Sequence, residues 1–122
     1  MKYIEEKGMT YIDAYYDDFK IYGGQGTIAC EILRQNPEID TIVIPVGGGG
    51  LSTGIAVAAK AIKPEVRIIG VQTEACPAFI KAFEDNVLYE EYPITGDTIC
   101  DATVGGCGKL AYEMLPEVMD DI

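Results

Sequence analysis

The chain has 122 residues, enough for one domain with a core of its own, and is 48% hydrophobic and 24% charged, a balance typical of soluble globular proteins. Its net charge of −11 repels phosphate backbones and anionic membranes, so nucleic-acid and membrane partners are not expected, while a small anion gripped at short range by backbone N–H groups still is. No apolar run approaches the ~20 residues that cross a bilayer, and the N-terminal segment lacks a signal peptide's apolar stretch, so the expected location is cytoplasmic.

In chain order, MKYIEEKG reads as a helix end closed by Gly8, and TYIDAYY as a short strand before the acidic turn DDF. TIACEILRQ sets Ile28, Ile32 and Leu33 at helical spacing, with Thr27 as N-cap and Asn36-Pro37 as terminator. DTIVIPV is a β-branched run without alternation, expected to be a strand buried on both faces of a parallel sheet and stopping near Pro45. LSTGIAVAAKAIK follows as a helix stopped by Pro64, EVRIIGVQ as a second buried strand, and PAFIKAFED as a short helix with Pro77 in its first turn. NVLYEEYPITGDTICDATVGG reads as irregular with a strand at TICDA, and GKLAYEMLPEVMDDI as a last helix ended or kinked by Pro116. There is no internal repeat and no linker. Strands alternating with helices predict an α/β fold, a three-layer and mostly parallel sheet whose ligands sit at the carboxyl ends of its strands.

The four cysteines, Cys30, Cys76, Cys100 and Cys107, form no C-x-x-C pair, and the chain has no histidine. Both facts argue against zinc and against a histidine-activated cysteine nucleophile. Four reduced and mostly buried thiols are expected.

Four consecutive glycines, Gly47 to Gly50, stand between the first buried strand and its helix. A strand turning directly into a helix leaves the helix's first N–H groups unpaired and partly positive, which favours an anion. Glycine removes the side chains that would hold the anion off and permits positive φ, so several N–H groups can converge on one phosphate. Leu51-Ser52 follows where a nucleotide P-loop needs Lys-Ser/Thr. A dinucleotide spacing at Gly48, Gly50 and Gly54 remains open, weakened because the second strand ends in Gln72 and not in an acid. A glycine turn that packs a helix on a sheet and binds nothing is the plain alternative.

The glycines have company. GGQGTIACEIL, DTIVIPVGGGGLSTGIAVAAKAIKPEVRIIGVQ and DTICDATVGGCGKLAYEMLPEVMDDI, taken in that order, resemble the pyridoxal-phosphate-dependent threonine/serine dehydratases of the tryptophan synthase β-like fold (fold type II), above all the catabolic threonine ammonia-lyases. The resemblance covers nearly the whole chain. It implies that Gly47, Gly48, Gly49 and Gly50 grip the phosphate of pyridoxal 5'-phosphate, with Leu51 opening the helix. It also implies β-elimination of a small amino-acid substrate, L-threonine or L-serine, to a 2-oxo acid and ammonia, in a homo-oligomer.

The family's cofactor-binding lysine lies in an S-F-K-x-R-G-type motif upstream of the glycine loop, and none of the seven lysines here has that context. The expectation is a single partial domain over residues 1–122, a large-domain portion that contributes no catalytic residue and is inactive alone. A small α/β phosphate- or nucleotide-binding regulatory module is the alternative. Where relatives bind a divalent cation through a strand-end glutamate, this chain has Gln72, with Ala78 near the next ligand position, so no metal is expected. The family's A-D-G segment beside the cofactor ring reads Cys100-Asp101-Ala102.

Asp17, in the YYDDF turn that resembles a regulatory AMP site, is a weak effector candidate, with a solvated acidic turn as the plainer reading for Asp17 and Asp18. Gln25 and Thr27 are candidates for positioning the loop's surroundings. Ser52 is a candidate either for reaching the phosphate or for capping the helix. Tyr11, Tyr15, Tyr16 and Tyr22 are expected in core and rim packing.

Overall fold

A computed structural model describes residues 2–13 and 18–122. Helix α1 (Lys2–Lys7) ends at Gly8, whose φ of +62° is the left-handed conformation that closes helices. Thr10 to Asp13 form no strand, and the rest of the strand expected there, Ala14 to Tyr16, lies outside the described residues.

Helix α2 (Phe19–Gln35) starts eight residues before the expected cap at Thr27. Its N-cap is Asp18, whose carboxylate accepts from the Lys20 N–H at 2.8 Å. Thr27 sits inside the helix and returns its hydroxyl proton to the Gly24 carbonyl at 2.8 Å. Helix propensity disfavours a run containing Gly23, Gly24 and Gly26, and tertiary packing overrides it. A Cβ on Gly26 would stand 2.9 Å from the Gly54 carbonyl oxygen, and one on Gly54 would stand 2.3 Å from that of Tyr22. Glycine at both places lets α2 and α3 (Gly50–Ile62) cross with their backbones almost touching.

Strands β1 (Thr41–Pro45) and β2 (Arg67–Val71) pair in parallel, with Ile42 opposite Ile68 and Ile44 opposite Gly70. Ile42, Ile44 and Ile68 pack on Ala29 and Leu33 of α2 and on Ile55, Ala56 and Ala59 of α3. Burial along β1 alternates, and Val43 is 61% exposed, so the double-sided burial expected of this strand is not met by these residues. A β-branched run reports strand propensity, while coverage depends on where helices dock, and α2 and α3 dock on one face.

Helix α4 (Ala78–Asp85) follows β2, with Pro77 as its N-cap, and α5 (Lys109–Val118) contains Pro116 without ending there. After α5 the chain turns alongside β2. Gly70 donates to the Asp121 carbonyl at 2.8 Å, and Ile69 and Asp121 form a parallel bridge. The strand expected at TICDA is absent; a single 3-10 turn, Asp101–Thr103, stands there. Threonine hydroxyls decide it locally: Thr98 Oγ1 accepts from the Cys100 N–H at 3.0 Å, and Thr103 Oγ1 donates to the Cys100 carbonyl at 2.9 Å.

A second apolar cluster lies past the carboxyl end of β1, where Val46 meets Tyr22, Cys76, Phe79, Cys107, Ala111 and Leu115. The glycine loop rests on it.

Candidate functional site

The loop begins where β1 stops. Val46 is fully buried, and its N–H donates to the Val71 carbonyl at 2.9 Å, carrying the ladder one residue past the strand. Gly47, Gly48 and Gly49 then turn the chain, and Gly49 at φ +98° caps α3. Few residues other than glycine tolerate that φ, and here a side chain has no room either. A Cβ on Gly49 would fall 2.9 Å from Cζ of Phe79.

Three carbonyls around the turn are held by the protein. The Val46 carbonyl accepts from Gln72 Nε2 at 3.1 Å, and the Gly48 carbonyl from the Gly108 N–H at 3.0 Å. The Gly49 carbonyl takes the Thr53 N–H at 2.9 Å and the Ser52 hydroxyl at 3.1 Å. In a trans peptide the C=O and the following N–H point in opposite directions within one plane. Anchoring these carbonyls therefore aims the N–H groups of Gly47, Gly49 and Gly50 away from the anchors. Among the described residues, no backbone N–H from Gly47 to Ser52 has a hydrogen-bond partner within the chain. Six consecutive N–H donors at the start of a 13-residue helix form a concentration of positive potential, although the chain carries a net charge of −11.

No lysine or arginine side chain is bonded to the loop among the described residues. Lys60 pairs with Asp120, Lys63 donates to the carbonyls of Pro37 and Ile39, and Lys81 pairs with Glu84. The site's positive character is that of the main chain.

Of the sequence candidates, Gly47 to Gly50 and Leu51 come together at this turn, with Leu51 half-buried in the first turn of α3 against the core. The 3-10 turn stands beside them, since a Cβ on Gly47 would lie 3.2 Å from the Thr103 Cα and 3.5 Å from the Ala102 carbonyl oxygen. Ser52 is fully buried and bonded back to Gly49, which makes it part of the turn's own structure. Gln25 lies against Gly54 at the crossing of α2 and α3, and Tyr22 is in the core. Tyr11 is exposed, while Tyr15, Tyr16 and Asp17 lie outside the described residues.

The thiols divide evenly, against the expectation that most are buried. Cys30 and Cys100 are exposed, Cys76 and Cys107 buried. Burial pushes the Cys107 thiol up to about 12, which keeps it protonated and inert at neutral pH. Thr53 is also fully buried; its hydroxyl has no partner among the described residues, and it lines a groove of about 330 Å³ between α2 and α3.

Sequence reasoning missed two residues that hold the turn. Gln72 entered only as a missing acid, yet its Oε1 accepts from the Phe79 and Ile80 N–H groups at 3.0 and 3.1 Å while its Nε2 reaches Val46. Cys76 was one thiol among four, yet its Sγ lies 3.3 Å from the Gly105 nitrogen and 3.4 Å from the Gly105 oxygen, fixing the segment that leads to Gly108.

A family model described as pyridoxal-phosphate dependent enzyme matches residues 1–122. The catabolic L-threonine dehydratase TdcB of Escherichia coli K12 is 40% identical over 119 residues, covering 98% of this chain and 36% of that enzyme. The solved structure of maize serine racemase matches with a TM-score of 0.87 at 32% identity, over 98% of this chain and 37% of that one. The processed form of threonine deaminase isoform 2 from Solanum lycopersicum matches with a TM-score of 0.86 at 32% identity, over 99% of this chain and 35% of that one. Both structures have the tryptophan synthase β-like architecture, the α/β class read from the sequence. The chain spans just over a third of the length of these relatives.

Proposed function

This chain belongs to the pyridoxal-phosphate-dependent enzyme family, and from that premise we propose that Gly47, Gly48, Gly49 and Gly50, with Leu51 in the first turn of α3, hold the phosphate of pyridoxal 5'-phosphate through main-chain N–H groups. The observation that carries this reading is the run of unpartnered donors from Gly47 to Ser52. Backbone donors at a helix start suit a phosphate dianion without a cationic side chain. When bound, the cofactor supplies the electron sink for chemistry at the α-carbon of an amino acid. The chain's own residues bind and orient: the loop fixes the phosphate, and the turn at Asp101–Thr103 flanks it.

The protein that contains this segment acts, in our reading, as a cytoplasmic threonine/serine dehydratase, releasing a 2-oxo acid and ammonia from L-threonine or L-serine. These 122 residues are a partial domain of it, furnish no catalytic lysine and do not turn over substrate alone. The apolar sheet face at Val43 and Val71, exposed here, favours assembly with further subunits or segments.

The test is an NMR titration of the 13.2 kDa chain with pyridoxal 5'-phosphate, then with inorganic phosphate as competitor. The amide signals of Gly47 to Ser52 should move with both ligands, and borohydride reduction should leave only scattered labelling of exposed lysines, with no stoichiometric adduct on a single one. Cofactor binding that leaves those signals in place, or L-threonine turnover by the chain itself, defeats the reading.

A further inference from the structure

We propose that Gln72 is a positioning residue for the phosphate loop: its side-chain amide fixes the peptide plane between Val46 and Gly47 and thereby aims the Gly47 N–H. The inference rests on the reading of the loop as a phosphate cup.

Both polar atoms of this amide are engaged at hydrogen-bonding distance. Nε2 donates to the Val46 carbonyl, and Oε1 accepts from the N–H groups of Phe79 and Ile80 in the first turn of α4. One half-buried side chain therefore joins the last residue before the glycines to the helix whose Phe79 ring lies under Gly49. The Gly48 and Gly49 carbonyls are anchored by backbone groups or by the turn's own Ser52, and only the Val46 carbonyl depends on a side chain from elsewhere. With the Val46 N–H already given to Val71, the Gln72 bond removes the remaining rotation of that plane. The position requires a group that donates on one side and accepts on the other. A carboxylate only accepts.

Two variants separate aim from charge. Gln72→Glu keeps the acceptor for α4 and loses the donor to Val46 whenever the new carboxyl is ionised. Gln72→Met loses both and adds no charge. Inorganic phosphate is titrated into the wild-type chain and each variant from pH 4 to pH 8, at low and high salt, following the Gly47 amide signal. Affinities are compared as ratios to wild type, so that the ionisation of phosphate itself cancels. We expect Gln72→Met to bind about tenfold more weakly at every pH, the loss of one well-placed donor. Gln72→Glu should bind at least as weakly at pH 8 and recover as pH falls through the range near 4–5 where a carboxyl regains its proton and can donate again. Salt should leave most of both deficits in place.

If Gln72→Met binds phosphate as wild type does, or if salt abolishes the Gln72→Glu deficit, the residue contributes only charge or bulk and the proposal fails. If Gln72→Met does not fold, Gln72→Glu, whose α4 cap is intact, decides alone through its pH and salt dependence. A wild-type chain that binds no phosphate overturns the cup itself, and this inference with it.

Discussion

Gly49 and Ala111 approach so closely that a Cβ built on the glycine would stand 2.3 Å from the Cβ of the alanine. The contact presses the first turn of α5 onto the glycine turn from below, while the Gly108 N–H holds the Gly48 carbonyl from the side. The loop is thus shaped by what it rests on as well as by its own flexibility. A methyl group at Gly49 meets two penalties: a left-handed φ, about 1–2 kcal/mol for an ordinary residue, and an overpacked contact, about 1–3 kcal/mol. Gly49→Ala should therefore destabilise the chain by roughly 2–5 kcal/mol in urea unfolding and abolish phosphate binding. Adding Ala111→Gly should recover part of the loss by removing the shortest contact. The φ penalty and the approach to Phe79 remain.

Ser52 distinguishes a residue of the turn from a ligand of the phosphate. Its hydroxyl has one proton, and that proton goes to the Gly49 carbonyl. Ser52→Ala should cost about 1 kcal/mol of stability, the usual net value of such a bond. It should change phosphate affinity by less than about threefold, since Thr53 N–H still holds the same carbonyl. A loss of affinity far beyond that, with stability unchanged, would show the hydroxyl turned to the anion.

The residues that announced themselves in the sequence act through their immediate neighbours. Ile42, Ile44 and Ile68 read as strand because β-branching favours extended backbone, and the tetraglycine read as an anion turn because the lack of side chains is itself the local property. What stayed hidden depends on partners distant in sequence. The cap expected at Thr27 leaves Gly26 before the helix, and only the close approach of Gly26 to Gly54, and of Gly54 to Tyr22, explains a glycine inside α2 at that place. Gln72 reaches a carbonyl 26 residues away, a relation that no spacing rule expresses. At TICDA the hydroxyls of Thr98 and Thr103 overruled β-propensity, leaving Ile99 almost fully exposed.

The four thiols should react in two classes. Cys30 and Cys100 are exposed, whereas Cys76 is buried against Gly105 and Cys107 is buried with its ionisation displaced to about 12. Alkylation requires the thiolate. At pH 8, iodoacetamide should label Cys30 and Cys100 within minutes, and the other two only in denaturant, as peptide mapping would read. Binding of pyridoxal 5'-phosphate should slow labelling of Cys76 further, because Cys76 braces the segment that holds Gly48.

Acid should weaken the edge of the sheet through Asp120. Its carboxylate pairs with Lys60 at 2.8 Å and accepts from the Ile68 N–H at 2.7 Å; these bonds, the lysine's foremost, hold its pKa below the usual carboxylate value. A carboxyl whose folded pKa is depressed contributes stability that is present above its unfolded pKa, near 3.9, and lost as pH falls through the folded value. Asp120→Asn keeps an acceptor for Ile68 but drops the charge. The variant should unfold at lower urea than wild type at pH 7, and the gap should narrow as pH drops below about 4. Because the pair is partly open to water, salt should shrink the gap at neutral pH as well. A variant that unfolds at the same urea concentration as wild type from pH 7 to pH 3 in low salt would mean that Asp120 holds the chain beside β2 by its hydrogen bond to Ile68 alone, with Lys60 a bystander.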